Sequence, residues 1–160
     1  MSKSSTITVD SFRLYCMKKS SIPEALRKKL IPIMRNHSLA KFGDTLANFL
    51  YSYAKTRVLD KPIGTSVYDK ALAEVLRRLG LRAVMPSSSS AGTLGDGIEA
   101  LIGHAFLKKI MTIEEMVTII IIYLQTVEKE QLEDRNNERI LMIESFTKLI
   151  EKIIARIIEE

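Results

Sequence analysis

Gly92-Thr93-Leu94-Gly95-Asp96-Gly97-Ile98-Glu99-Ala100-Leu101-Ile102-Gly103-His104-Ala105-Phe106-Leu107 is the stretch on which the reading of the chain turns. It sets two carboxylates, Asp96 and Glu99, three residues apart in an otherwise small and apolar helical pattern, and on a helix that spacing puts both on one face. A carboxylate pair projecting from an apolar helix into the interior is costly unless something cationic lies against it. A hard divalent ion with oxygen ligands meets that need. His104, among small apolar residues, reads more readily as a packed or hydrogen-bonded core residue than as a ligand.

Two further segments lie upstream. Asn36-His37-Ser38-Leu39-Ala40-Lys41-Phe42-Gly43-Asp44-Thr45-Leu46 carries Gly-Asp inside a second helical pattern, and Val67 to Leu81 forms a helix ending Leu79-Gly80-Leu81. In this order the three segments resemble the ribonuclease III family. Asp96-x-x-Glu99-Ala100-Leu101, followed by Gly103 and Phe106-Leu107, resembles its second signature; Asn36, Leu39, Gly43 and Asp44 resemble its first. The resemblance covers roughly residues 8 to 130 and departs from the usual pattern at His37 and Ala40, where the family has Glu, and at Lys41, where it has an apolar aromatic. The shorter branch sometimes called Mini-III is similar to this chain in having Ala four residues before the signature Asp. A stand-alone nuclease domain of that Mini-III-like or archaeal kind, without a double-stranded RNA-binding domain, is the form the chain resembles.

The resemblance implies an all-α, ribonuclease III-type endonuclease domain acting as a homodimer, with one centre per subunit along a shared valley. It implies that Asp44, Asp96 and Glu99 are both catalytic and metal-ligating, converging from two helices with Glu99 most directly engaged. The cofactor would be magnesium, with manganese a possible substitute. The substrate would be double-stranded or structured RNA, hydrolysed to 5′-phosphate and 3′-hydroxyl ends. Divalent magnesium held by carboxylates suits that chemistry, which needs an activated water, neutralised phosphate charge and a stabilised leaving group. His37 and Lys41, one helical turn apart, either approach the same phosphate or sit as ordinary surface residues. Two other readings compete: a catalytically decayed relative that binds RNA as a scaffold, motivated by Ala40 and Lys41, and a helical interaction module unrelated to RNA.

At 160 residues, 46% hydrophobic and 27% charged, the chain suits one compact domain spanning 1–160 with a sizeable core. The net charge of +5 hides an asymmetry: residues 1–112 carry 18 Lys and Arg against 8 Asp and Glu, whereas 113–160 carry 6 against 11. The basic part contains both signatures, and its clusters at Lys18-Lys19, Arg27-Lys28-Lys29, Arg77-Arg78 with Arg82, and Lys108-Lys109 read either as phosphate contacts or as solvated helix faces. Asn36, His37, Lys41, Arg77, Arg78, Lys108 and Lys109 are the RNA-binding candidates. Few aromatics lie between them, so a surface reading the shape of an A-form duplex fits better than a stacking groove for single strands. With two histidines and one cysteine a zinc site is disfavoured, and no P-loop or dinucleotide fingerprint is present, so no nucleotide cofactor is expected. Cys16 cannot form an intrachain disulfide and reads as a buried small hydrophobe in a reducing cytoplasm. The N-terminus lacks a signal-peptide pattern, and the longest uncharged apolar run, Met116 to Leu124, is too short to span a bilayer, so the expectation is a cytoplasmic protein without membrane contact.

Helices are expected throughout, punctuated by Pro and Gly. Pro23 opens one and Ile31-Pro32 ends or kinks it; residues 39–59 form the first signature helix; Ser66 caps a helix running to about Leu79, which Gly80 stops. Pro86-Ser87-Ser88-Ser89-Ser90-Ala91-Gly92 reads as a loop, either near the active site or merely flexible. Thr112 caps a helix through Val117–Leu124, with a strand as the competing assignment because branched residues favour strands. The final helix, about 138–158, repeats Ile143, Phe146, Ile150, Ile153 and Ile157 at spacings of three and four, a stripe that either seals the domain's own core or pairs with another chain.

Overall fold

A computed structural model describes residues 8, 9, 12, 15 and 22–160. Cys16 and the Lys18-Lys19 cluster lie outside the described residues. Among the described residues there are six α-helices and no strand: α1 (Glu24–Met34), α2 (His37–Leu59), α3 (Asp69–Arg78), α4 (Ala91–Leu107), α5 (Ile113–Leu124) and α6 (Arg135–Glu159), with 3₁₀ turns at Arg82–Val84 and Lys129–Glu133. None is long and apolar enough to cross a membrane.

The helix carrying the opening stretch, α4, is the hub, packing against α1, α2, α3 and α6. Its Leu94, Ile98, Leu101, Ile102 and Ala105 are buried, so apolar residues surround the two carboxylates as the sequence implies. The stripe on α6 belongs to the domain's own core: Ile143, Phe146, Ile150, Ile153 and Ile157 are all buried within the single chain.

Local chemistry accounts for most helix ends. The Asn36 side chain accepts from the Leu39 N–H at 3.1 Å, so the first signature helix begins at His37, two residues before its expected start. Ser90 caps α4, which therefore takes in Ala91 and Gly92 from the serine-rich loop. Thr112 and Glu115 form a reciprocal capping box, and this local helix signal prevails over the strand preference of the isoleucines in α5. That helix is not buried all round, since Ile122 is 56% exposed. Asp134 starts α6 at Arg135, three residues earlier than expected.

Two further boundaries differ from the sequence reading. Pro32 does not end α1, which continues to Met34. Ser66 caps nothing; α3 starts at Asp69 because residues 61–68 are held extended along α2. Thr56 pairs with Ile63, Ser52 with Thr65 and Asn48 with Val67, which uses up the backbone polar groups that a longer helix would need.

Candidate metal centre

The site is built where α2 crosses α4. A methyl group added at Gly43 would stand 1.8 Å from the Glu99 carbonyl oxygen, and one at Gly103 would stand 2.9 Å from that of Leu39. The two backbones therefore touch, and only glycine fits at Gly43 without displacing main chain. Asp44, next in the chain, is thereby brought to the turn of α4 that carries Asp96 and Glu99.

His37, Ala40, Lys41, Asp44, Asp69, Asp96 and Glu99 line one cavity of about 300 Å³. All three expected carboxylates are there, and so are His37 and Lys41. Ala40 presents a buried methyl group where an oxygen donor would be useful. Asp69, the first residue of α3, is an addition that sequence reasoning missed. Its only sequence signal is an acidic residue opening the helix between the signatures, which the helix dipole alone explains.

Glu99 is buried, with only 5% of its surface exposed. Among the described residues no Lys or Arg forms a salt bridge with Asp44, Asp69, Asp96 or Glu99. Burial, then the charges of Asp44 and Asp96, a hydrogen bond with Asp44 and the charge of Asp69 push the Glu99 carboxyl up to about 8. Asp96 is also raised, mainly by burial; Asp69 and Asp44 add to the rise and His37 opposes it. Asn48 was another omission: it donates to the Asp44 carboxylate at 3.3 Å while accepting the Val67 N–H at 2.8 Å, tying Asp44 to the chain leading into Asp69.

Among the described residues no three His, Cys, Asp or Glu side chains form a ready-made metal shell. The donor set nonetheless suits magnesium, which takes only one or two carboxylates directly and keeps several waters. Four hard oxygen-bearing side chains around a cleft, none of them in a salt bridge among the described residues, are a set that a divalent cation would relax.

The other candidates are dispersed. Asn36 lines an adjoining pocket with Arg35, His37, Ala40, Pro86, Thr93 and Asp96, which places the loop before α4 beside the site. Arg77 and Arg78 close the last turn of α3 and pair with Glu74 outside the cleft. Lys108 and Lys109 follow the far end of α4 and do not line it either. His104 is half-buried away from the cleft, its pKa lowered chiefly by burial. Arg27 and Arg82, each from one of the sequence clusters, share with Arg35 a wider cleft beside Met85, Pro86 and Ser87, which meets the adjoining pocket at Arg35, Met85 and Pro86, and that pocket meets the carboxylate cavity at His37, Ala40 and Asp96. Each guanidinium is aimed by a backbone carbonyl: Arg27 donates to Ala83, Arg35 to Val84, and Arg82 to Pro86 and Ser87. No single run in the sequence announces this trio, because Arg27 lies within α1, Arg35 just after it and Arg82 in the distant 3₁₀ turn.

A protein-family model described as Ribonuclease III matches residues 37–159. The match begins at the first residue of α2 and continues through α6, beyond the part that the sequence resemblance alone reached. A search of curated proteins gives no match.

Proposed function

Because the chain belongs to the ribonuclease III family, we propose that it is a magnesium-dependent endoribonuclease acting on double-stranded or structured RNA. The observation that carries the proposal is the buried, counter-charge-free Glu99 facing Asp44 and Asp96 in a cleft whose rim bears His37 and Lys41. A bound divalent cation supplies charge neutralisation at the phosphate and a more acidic water. Asp44, Asp96 and Glu99 would hold it. Lys41 places a positive charge, and His37 a hydrogen-bonding ring, where a phosphate oxygen would lie. Hydrolysis of the P–O3′ bond by water leaves a 5′-phosphate and returns a proton to the departing 3′-oxygen.

The arginine-lined cleft beside the site supports an RNA substrate, since guanidiniums with free N–H groups grip backbone phosphates without regard to sequence. A homodimer is part of the reading. Phe42 and Phe106 lie 6.0 Å apart between ring centroids and are each more than a third exposed, an apolar pair that a second subunit would cover.

The test is cleavage of a labelled RNA duplex beside its single strand, with and without magnesium, for the native chain, Asp44→Asn and Glu99→Gln. The expected result is magnesium-dependent cutting of the duplex, lost by on the order of 10³-fold in either variant, the scale of several kcal/mol of transition-state charge stabilisation. Duplex binding without cutting at generous metal and enzyme would replace the nuclease by a scaffold. Light scattering at micromolar concentration should report a dimer.

A further inference from the structure

We propose that Asp69 is a metal-ligating residue of the same centre, entering from α3 and supplying the oxygen donor that the α2 wall lacks at Ala40. The inference rests on the reading of the cleft as a divalent-cation site. Of its walls, α2 contributes one carboxylate, Asp44, and an inert methyl, Ala40; α4 contributes Asp96 and Glu99; α3 contributes Asp69 alone.

Three features of the fold hold Asp69 in place. The segment entering α3 is fixed to α2 by the Ser52–Thr65, Thr56–Ile63 and Asn48–Val67 hydrogen bonds, so the start of the helix has a defined position. The start of α3 lies against α4: a methyl at Gly95 would stand in ordinary contact, 3.4 Å, with the Asp69 carbonyl oxygen, and one at Gly92 would lie 3.9 Å from the Asp69 Oδ2. Gly92, Asp96 and Glu99 follow one another along one face of α4, so the Asp69 carboxylate lies alongside the turn leading to the other two. Asn48 joins the pieces, bonded at once to Asp44 and to the backbone two residues before Asp69.

Structural roles for this carboxylate are weak. Among the described residues it forms no salt bridge, whereas Glu74, the next acidic residue of α3, is held by Arg77 and Arg78. An acidic first-turn residue gains about 0.3–1 kcal/mol from the helix dipole in any outward orientation. Facing three further carboxylates across one cleft forfeits that gain to repulsion. The independent sign of a ligand is Glu99: nine-tenths buried in the same cleft and, among the described residues, in salt bridge with no basic side chain, Lys41 of that cleft included. A cation coordinated among the four resolves both observations.

The test measures manganese binding by calorimetry, manganese being the probe, to the native chain, Asp69→Asn, Asp44→Asn and the double variant Ala40→Glu/Asp69→Asn. Circular dichroism melting of each metal-free protein serves as the control for folding. Asp69→Asn should weaken manganese binding by about ten- to a hundredfold, the range seen when groups around a metal are removed. Ala40→Glu should restore most of the loss by returning a carboxylate to the same cleft from α2. Metal-free Asp69→Asn should melt no lower than the native chain, since one repelling charge has gone. Native-like manganese affinity in Asp69→Asn, with Asp44→Asn impaired, overturns the inference even if the native chain cuts RNA. Loss of affinity in Asp69→Asn in a chain that leaves RNA intact sustains it while removing the nuclease reading.

Discussion

Two glutamates are buried to nearly the same degree, Glu99 at 5% and Glu138 at 6% exposure, and their surroundings are opposite. Glu138, on α6, receives the buried Lys55 ammonium and, at 3.2 Å, the Tyr68 hydroxyl. Glu99 shares its cleft with three other carboxylates, His37 and Lys41, and among the described residues it forms no salt bridge. The first arrangement is complete within the protein; the second is complete only with something added. Burial of a charge by itself therefore says little about function, and the identity of its nearest partners says most of it. Tyr51, whose hydroxyl is buried without a hydrogen-bond partner, belongs to the first region: burial and the neighbouring Glu138 hold its pKa above the usual tyrosine value.

The sharpest way to break this contrast is to delete each carboxylate. Glu138→Ala should cost about 3–5 kcal/mol in urea unfolding, because it leaves Lys55 buried and alone. If unfolding moves by under about 1 kcal/mol, the pair is not the structural counterpart described here. Gly43→Ala comes next. The added methyl must push α2 away from α4, which should cost about 1–3 kcal/mol and lower RNA cutting further than the stability loss explains, measured at a temperature where the variant remains folded.

Glu99→Gln should behave oppositely, raising the melting temperature of the metal-free protein by a few degrees at pH 8, on the scale of about 1 kcal/mol of relieved charge burial. The pH dependence follows from the sign. With its pKa raised from 4.5 to about 8, folded Glu99 holds its proton more tightly than the unfolded chain does, so its contribution to stability is full below about 4.5 and is lost as pH rises toward about 8. The advantage of Glu99→Gln should accordingly vanish near pH 4 and grow up to pH 8, and magnesium should shrink it by stabilising the native carboxylate. A difference that does not change with pH would mean that Glu99 is not titrating in the fold. The smallest effect is expected at the surface: Glu114→Ala, which removes the exposed Arg57 pair, should change stability by less than about 1 kcal/mol.

The sequence disclosed the parts of this structure whose causes are local. The Thr112 cap and the period of the α6 stripe are interactions within a turn or two and were read from neighbouring letters; the Asn36 cap is equally local, yet the expected helix start at residue 39 passed over it. Asp44, Asp96 and Glu99 were legible for a different reason, the resemblance of their segments to a family. What stayed hidden depends on distant pairing. The start of α3 is decided by Asn48, Ser52 and Thr56 on another helix, so the spacing around Ser66 misplaces it. Asp69 becomes a site residue only because the start of α3 packs against α4 beside Gly92 and Gly95. The arginine trio is assembled from α1, the residue after it and a 3₁₀ turn, whereas the conspicuous Arg77-Arg78 run is engaged with Glu74.

The contact of Gly43 with the Glu99 carbonyl also bears on how such a protein can vary. The separation of the two walls that carry Asp44 and Glu99 is gauged by main-chain atoms, which every sequence shares, and not by the girth of interposed side chains. Leucines and isoleucines elsewhere in the interior are then free to be exchanged over generations without retuning the geometry of the carboxylates, provided that one hydrogen atom at position 43 stays a hydrogen atom.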